Sequence, residues 1–399
     1  MCKMKNHFTG RFINQYQDFF SMINKETYLI PISSCLKTFG YCRSTIIDFQ
    51  LSELEFIPNS LFELMIKHKC WKIQDIIDYY GKDYENNLIE YFEFLFVNRY
   101  AYFGEKYETE LFPDFSMEWD FPALITNAIV DIADFDKFEY SKLIESLDEI
   151  HCFHLQLRFL KEIRSKDKIE ELVKLVYEAS FHTLSLYLPF DVFEDYEKVS
   201  DFIKEYPKID NITVFSSPEN RKVILDEYFA FINFTVNSFD PESTCGYVDT
   251  KFFSLSVNHF TESQLHNTCL NRKICIDSEG YIKNCPSMQH HYGHISDTTL
   301  VEAIDKPGFK DCWFIKKDDI DVCQDCEFRH ICTDCRAFIK DSNNIYSQPA
   351  KCGYNPYIAK WQNEEGWISV EQWRKENPEW EKQAIELREL HKKYIAINE

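Results

Sequence analysis

The stretch ITNAIVDIADFDKFEYSKLIESLDEIHCFHLQLRFL, residues 125–160, holds a strand-like run, a helical run and a second strand-like run in succession. The outer runs, ITNAIVDIA (125–133) and FHLQLRFL (153–160), alternate apolar and other side chains and are rich in β-branched and aromatic residues. YSKLIESLDEI (140–150) between them spaces its apolar residues at helical intervals. The pattern repeats. HTLSLYL (182–188) and NITVF (211–215) start 29 residues apart, and DKIEELVKLVYEA (167–179) is the helical stretch before the third strand. An alternation of strand and helix with this period predicts an α/β fold, a parallel sheet or an incomplete βα barrel. Further strands are expected at AFINFTV (230–236) and FFSLSV (252–257).

Upstream, residues 28–100 read as a small α+β unit. YLIPI (28–32) and TIIDFQL (45–51) are β-rich, the latter alternating Ile47, Phe49 and Leu51. Asn59 is placed to cap a short helix, and KIQDIIDYY (72–80) suggests a second. A third carries Tyr84, Leu88, Phe92 and Leu95 at helical spacing, before the extended RYAYF (99–103). This order is winged-helix-like and suits either simple packing or docking of a peptide.

At the far end, a helix is expected from Asn377 as cap and Pro378 in the first turn. Its apolar stripe of Leu387, Leu390, Tyr394 and Ile397 should pack against the body. The expected organisation is thus a winged-helix-like unit over 1–115, a degenerate βα partial barrel over 116–260, a cysteine-rich domain over 261–358 and a helical tail over 359–399.

Composition narrows the function. The chain of 399 residues carries a formal charge of −22, from 44 basic and 66 acidic residues. That charge repels phosphate backbones and anionic lipid, so nucleic acid and membrane surfaces are poor partners and a basic peptide a better one. No apolar run approaches the length of a bilayer span, and MCKMKNHFTGRF at the start lacks the apolar core of a signal peptide, so a cytoplasmic location is expected. There are only ten glycines, with none between Gly104 and Gly246. Phosphate-cradling loops need glycine for close backbone approach, which leaves no nucleotide fingerprint in that interval.

Ten of the fifteen cysteines fall between Cys245 and Cys352. Clustered thiols without an export signal point to metal rather than disulfides. In order they read Cys269-x5-Cys275-x9-Cys285, then Cys323-x2-Cys326-x5-Cys332-x2-Cys335, then x16 to Cys352. CxxC turns put two thiolates on one centre, and four complete either tetrahedral zinc or one cubane iron–sulfur cluster. Eight thiols make two sites, and their grouping into a triple, a quadruple and a singleton requires the sites to interlace. KICIDSEGYIKNC (273–285) reads as a hairpin turning at Asp277–Gly280 that brings Cys275 and Cys285 face to face. Cys2, Cys35, Cys42, Cys70 and Cys152 are expected to be structural or incidental. Cys245 and Cys312 lie outside these spacings and are read as non-ligands. His290, His291 and His294 are read as a solvated loop.

The pattern C-x10-G-x4-C from Cys269 through Gly280 to Cys285, followed by C-x2-C-x5-C and the late Cys352, resembles the SPASM domain, the C-terminal module of many radical S-adenosylmethionine peptide-modifying enzymes. The stretches RSTIIDFQLSELEFIPNSL, IDSEGYIKNCP, CQDCEFRHICTDCRAF and PAKCGYNPY look like the SPASM-domain peptide maturases of grasp-with-spasm systems. That resemblance implies two auxiliary [4Fe–4S] clusters, one on Cys269, Cys275, Cys285 and Cys335 and the other on Cys323, Cys326, Cys332 and Cys352. It also implies a precursor peptide whose leader the N-terminal unit binds, and an ATP-grasp ligase as partner.

The resemblance departs in one spacing, Cys332-x2-Cys335 being a residue shorter than the more usual x3, and in two features that bind S-adenosylmethionine. No CxxxCxxC occurs in the chain; the loop that would bear it reads DIADFDKFEYSK (131–142), and the second strand ends FLKEI (159–163) in place of a glycine-rich methionine-binding turn. Radical chemistry on S-adenosylmethionine is therefore not expected. Asp131, Asp134 and Asp136 on that loop are read as solvated, and no catalytic residue is named. A redox enzyme acting directly through a SPASM cluster and a zinc-stapled binding protein are the alternatives.

Overall fold

The computed structural model describes residues 24–193, 195–240 and 245–396; Cys2 and Ile397 lie outside them. In the N-terminal part, β1 (Tyr28–Pro31) pairs antiparallel with β5 (Ala101–Gly104), while β2 (Cys35–Thr38), β3 (Ser44–Asp48) and β4 (Glu53–Ile57) form an antiparallel sheet in the order β2-β3-β4. Helices α1 (Asn59–Lys67), α2 (Ile73–Tyr80) and α3 (Glu85–Val97) bury Leu61, Met65, Ile76, Leu88, Phe92 and Leu95 in one core.

Two local expectations change here. The strand at 45–51 stops at Asp48, because its Oδ1 accepts the amides of Gln50 (2.8 Å) and Leu51 (3.2 Å) and Ser52 takes φ 56, which turns the chain into β4. Asn59 does not cap α1. Its side-chain amide donates to the Gly40 and Tyr41 carbonyls and accepts from Ser44 Oγ, pinning the loop before β3.

The strand–helix alternation forms as spaced. Strands β6 (Asn127–Ile132), β7 (His154–Phe159), β8 (Thr183–Pro189) and β9 (Ile209–Phe215) alternate with α4 (Tyr140–Glu149), α5 (Lys166–Glu178) and α6 (Tyr196–Glu205). They are parallel neighbours in an eight-stranded sheet with β10 (Arg221–Leu225) antiparallel to β11 (Ala230–Phe234) at one edge and β12 (Lys273–Ile276) and β13 (Ile282–Lys283) at the other, in the order β10-β11-β9-β8-β7-β6-β12-β13. Parallel strands covered on both faces are usually apolar throughout. Here only alternate residues are: Leu155, Leu157 and Phe159 pack in one core with α4 and α5 residues such as Leu147 and Val173. Gln156 and Arg158 of β7, Ser185 and Tyr187 of β8, and Thr213 of β9 therefore project to the opposite, polar face.

The strand expected at 252–257 is absent. Ser254 N donates to Ile331 O across to the cysteine-rich part, and Ser256 Oγ caps α7 (Val257–Ser263), so this segment is a connector whose Phe253 and Leu255 pack beside Phe328. Hairpin strands β12 (Lys273–Ile276) and β13 (Ile282–Lys283) do form, turning at Gly280 with φ 92, and β12 adds to the large sheet in parallel beside β6. Beyond α8 (Leu300–Asp305) the chain is largely turns and short 3-10 segments up to α9 (Val370–Glu376) and α10 (Trp380–Ala396). Asn377 ends α9 as its C-cap rather than starting the last helix. Leu387 of α10 packs on the N-terminal core, whereas Leu390 is largely exposed. Among the described residues, no helix is long and apolar enough to cross a membrane.

Candidate functional site: two thiol-lined cavities

The first part of CQDCEFRHICTDC, from Cys323 to Cys332, wraps around a small cavity. Val322, at φ 68, starts a tight 3-10 turn over Cys323–Asp325, and the Cys326 amide closes it on Cys323 O at 3.0 Å. A second turn brings the Cys332 amide to Phe328 O at 3.0 Å. Cys352 arrives from the next loop through a bridge with Val248. Cys323, Cys326, Cys332 and Cys352 all line the cavity, with Phe253, Phe328 and Trp361 as an aromatic wall. Burial pushes the Cys323 thiol up to about 12 and raises Cys326 and Cys332 as well. Binding a metal through these three as thiolates would therefore release protons.

A second cavity is lined by Cys245, Cys269, Cys285 and Cys335. Cys275 does not line it. In the β12 register Cys275 pairs with Lys283, and its charged surroundings are Asp131, Arg158, Asp277 and Lys283, so the hairpin does not set Cys275 and Cys285 on one cavity. Cys245 stands there instead, hydrogen-bonded to Cys285, which favours the Cys245 thiolate and raises Cys285. Gly246 makes the approach possible. Its φ is +83, and a Cβ there would come within 2.8 Å of the Phe338 ring and 3.1 Å of Cys335 Sγ. The regular cysteine spacing begins only at Cys269, 24 residues beyond Cys245. A signal was present: Cys245-Gly246 repeats the Cys352-Gly353 pair.

Two lysines that nothing in the sequence singled out contact these thiols, Lys317 in the lining of the first cavity and Lys273 behind Cys269 of the second. Lys317, 5% exposed, places Nζ 3.3 Å from Cys332 Sγ, and Lys273 of β12 places Nζ 3.5 Å from Cys269 Sγ. Burial works against both charges, and the neighbouring cysteines in their thiolate form, joined by Asp334 for Lys317, outweigh it, so both lysines are held above the ordinary value once those thiols ionise. A buried or half-buried ammonium hydrogen-bonded to sulfur favours anionic charge beside it. Four thiolates holding an iron–sulfur cluster carry net negative charge, so the donor sets and their cations fit that group.

The remaining described cysteines line neither cavity. Cys35 and Cys152 are buried in apolar cores, and burial raises both thiols. Cys312 packs beside Ile315 and Ile320. His290 and His291 are exposed, and His294 Nε2 meets Glu279 O at 2.7 Å, bracing the hairpin turn. Asp131 departs from its expected solvated role. It sits at the C-terminal end of β6, 4% exposed, in a bidentate pair with Arg158 of β7 at 2.5 and 2.7 Å. Asp134 and Asp136 do lie on the loop, Asp136 paired with Lys168.

No family model matches the chain, and no curated protein does. Among solved structures, Streptococcus suis SuiB is similar at 12% identity and a TM-score of 0.29, over 81% of this chain and 98% of that one. SuiB bound to S-adenosylmethionine gives 12% identity and a TM-score of 0.28, covering 77% of this chain and 96% of that one. SuiB bound to the precursor peptide SuiA gives 13% and 0.27 with the same coverage. Likeness at this level assigns neither fold family nor activity to this chain.

Proposed function

We infer that this chain is a peptide-maturation protein carrying two [4Fe–4S] clusters, which acts on a ribosomally made precursor together with an ATP-grasp ligase and does no S-adenosylmethionine radical chemistry of its own. The observation that carries the cluster assignment is the pairing of each thiol quartet with a lysine held against it. One cluster would be held by Cys323, Cys326, Cys332 and Cys352. The other would be held by Cys269, Cys285 and Cys335, with Cys245 as fourth ligand in place of Cys275. Four thiols line each cavity, a donor set that full thiolate ligation of a cubane requires. Such clusters supply electron transfer, and full thiolate ligation leaves no open iron for substrate.

Two observations support the rest of the reading. Asp131 and Arg158 fill the strand ends where a catalytic cluster would need thiols. A groove between β4 and the cysteine-rich part is lined by Leu54, Phe56, Phe253, Phe328 and Trp361, beside the outer edge of β4, which pairs with no strand among the described residues. An edge strand next to apolar pockets suits an extended peptide, which supports precursor recognition by the N-terminal unit.

Anaerobic purification with iron, zinc and acid-labile sulfide quantification tests the clusters. About eight iron atoms per chain are expected; zinc without sulfide would sink the reading. Cys245→Ser should remove about half the iron, as should Cys335→Ser, while Cys275→Ser keeps it. The reverse result for Cys245 and Cys275 would restore the spacing-based ligand set. Co-expressing precursor and ligase with and without this chain, read by mass spectrometry, tests the pathway, and identical processing in its absence would defeat it.

A further inference from the structure

We propose that Lys273 and Lys317 are the resident counter-cations of the two clusters, each donating to one cysteinyl sulfur of its own quartet and thereby setting that cluster's potential. The inference rests on the iron–sulfur reading above and adds a role to two residues outside the ligand sets.

The geometry is specific to each cavity. β12 presents Lys273 one position before Ile274, whose side chain enters the apolar core, so Lys273 faces the other way, toward Cys269 at 3.5 Å. Extending the hairpin register past Cys275↔Lys283 sets Lys273 opposite Cys285. Among the described residues no carboxylate is ion-paired with Lys273, whose ammonium donates to sulfur. Lys317 is held differently. It follows Lys316 in a 3-10 turn, is buried, and divides its charge between Cys332 Sγ at 3.3 Å and Asp334 Oδ1 at 3.7 Å. Asp334 is itself fixed by Arg336 (2.8 Å) and Asn267 (2.6 Å), and Asn267 Oδ1 accepts the Cys269 amide of the other quartet at 3.1 Å. A buried polar wall of Lys317, Asp334 and Asn267 thus separates the two cavities.

The physical consequence follows from charge. Reducing a four-thiolate cluster adds one electron to an already anionic group. An ammonium hydrogen-bonded to its sulfur stabilises the reduced form more than the oxidised one, and more strongly where water is excluded. Net charge and hydrogen bonds to sulfur are among the terms that set such potentials. Each lysine should therefore raise the midpoint of its own cluster.

The test is an EPR-monitored redox titration of the full chain carrying its iron, for wild type, Lys273→Met, Lys317→Met and the two arginine variants, with iron and sulfide measured on each sample. In each methionine variant one cluster, a different one in each case, should fall in midpoint by a tenfold or greater change in the reduced-to-oxidised ratio at fixed potential, about 59 mV for one electron. Arginine should restore most of the shift. Unmoved midpoints at full iron content would overturn the proposal while leaving the cluster reading intact; zinc without sulfide in wild type would instead remove the reading on which it rests. If a methionine variant loses its iron, recovery by arginine supports the charge role, and equal loss in the arginine variant counts against it.

Discussion

The large sheet and the thiol-bearing segment solve the same problem by opposite means. Between β6 and β9 the interior is almost wholly apolar, with Leu157, Phe159, Val173, Leu186 and Ile212 at 0% exposure. Each such side chain contributes about 1.5–3 kcal/mol by leaving water. Between Cys269 and Asn355 the interior holds Lys317, Glu327, Arg329, Asp334, Arg336 and Asn355, and the backbone has little regular structure. Charged groups there satisfy one another: Glu327 receives Arg43 Nε at 2.8 Å, and Asp318 receives Arg329 Nε at 2.8 Å. Such networks confer geometry more than stability. A segment built this way should depend on what its thiols bind, and the sheet should not.

The sharpest way to break that contrast is to strip the metal and follow amide exchange. Protection over residues 311–357 should fall at least about a hundredfold, while residues 155–214 should change less than about threefold. Comparable loss in both would show that β12 transmits the thiol region's stability into the sheet. Next, Leu157→Ala should cost about 3 kcal/mol in urea unfolding, with or without iron, because its cavity lies in the apolar layer. A cost that vanished on metal removal would contradict independent cores.

Asp131→Ala should cost a similar or slightly smaller amount, about 3 kcal/mol, since it strands Arg158 as a buried charge. Replacing both by leucine and methionine should recover most of it. Failure to recover would mean that the pair does more than fill the strand ends.

The smallest effect concerns pH. Burial, with Lys67 nearby, lowers His68 in the N-terminal core to about 4. The unfolded chain, with an ordinary histidine, then binds more protons between about pH 6.5 and 4. Stability is complete above that window and declines as pH falls through it, by about 1–2 kcal/mol after allowance for partial solvation. His68→Gln should flatten the decline in the denaturant midpoint, and an unchanged slope would place the acid sensitivity elsewhere.

Legibility followed the same division. The period of apolar residues announced β6 through β9 and their helices, because a parallel βα unit repeats one local pattern. β10 stayed hidden, since Arg221, Lys222 and Ile224 of this edge strand are exposed and lack alternation. The segment at 252–257 misled for the opposite reason: its alternating Phe253 and Leu255 do bury, but against side chains distant in sequence rather than in a ladder.

The sequence by itself determined that this chain has a βα sheet, a surplus of clustered thiols and no CxxxCxxC, because all three are properties of neighbouring residues. Only the tertiary structure decided that Cys245 rather than Cys275 stands with Cys269, Cys285 and Cys335, and that Lys273 and Lys317 face sulfur. Spacing fixes the tight turn that joins two cysteines. Which distant thiol meets them depends on strand register, and pairing β12 beside β6 carries Cys275 toward Asp131 and Arg158 while bringing Lys273 to the cavity.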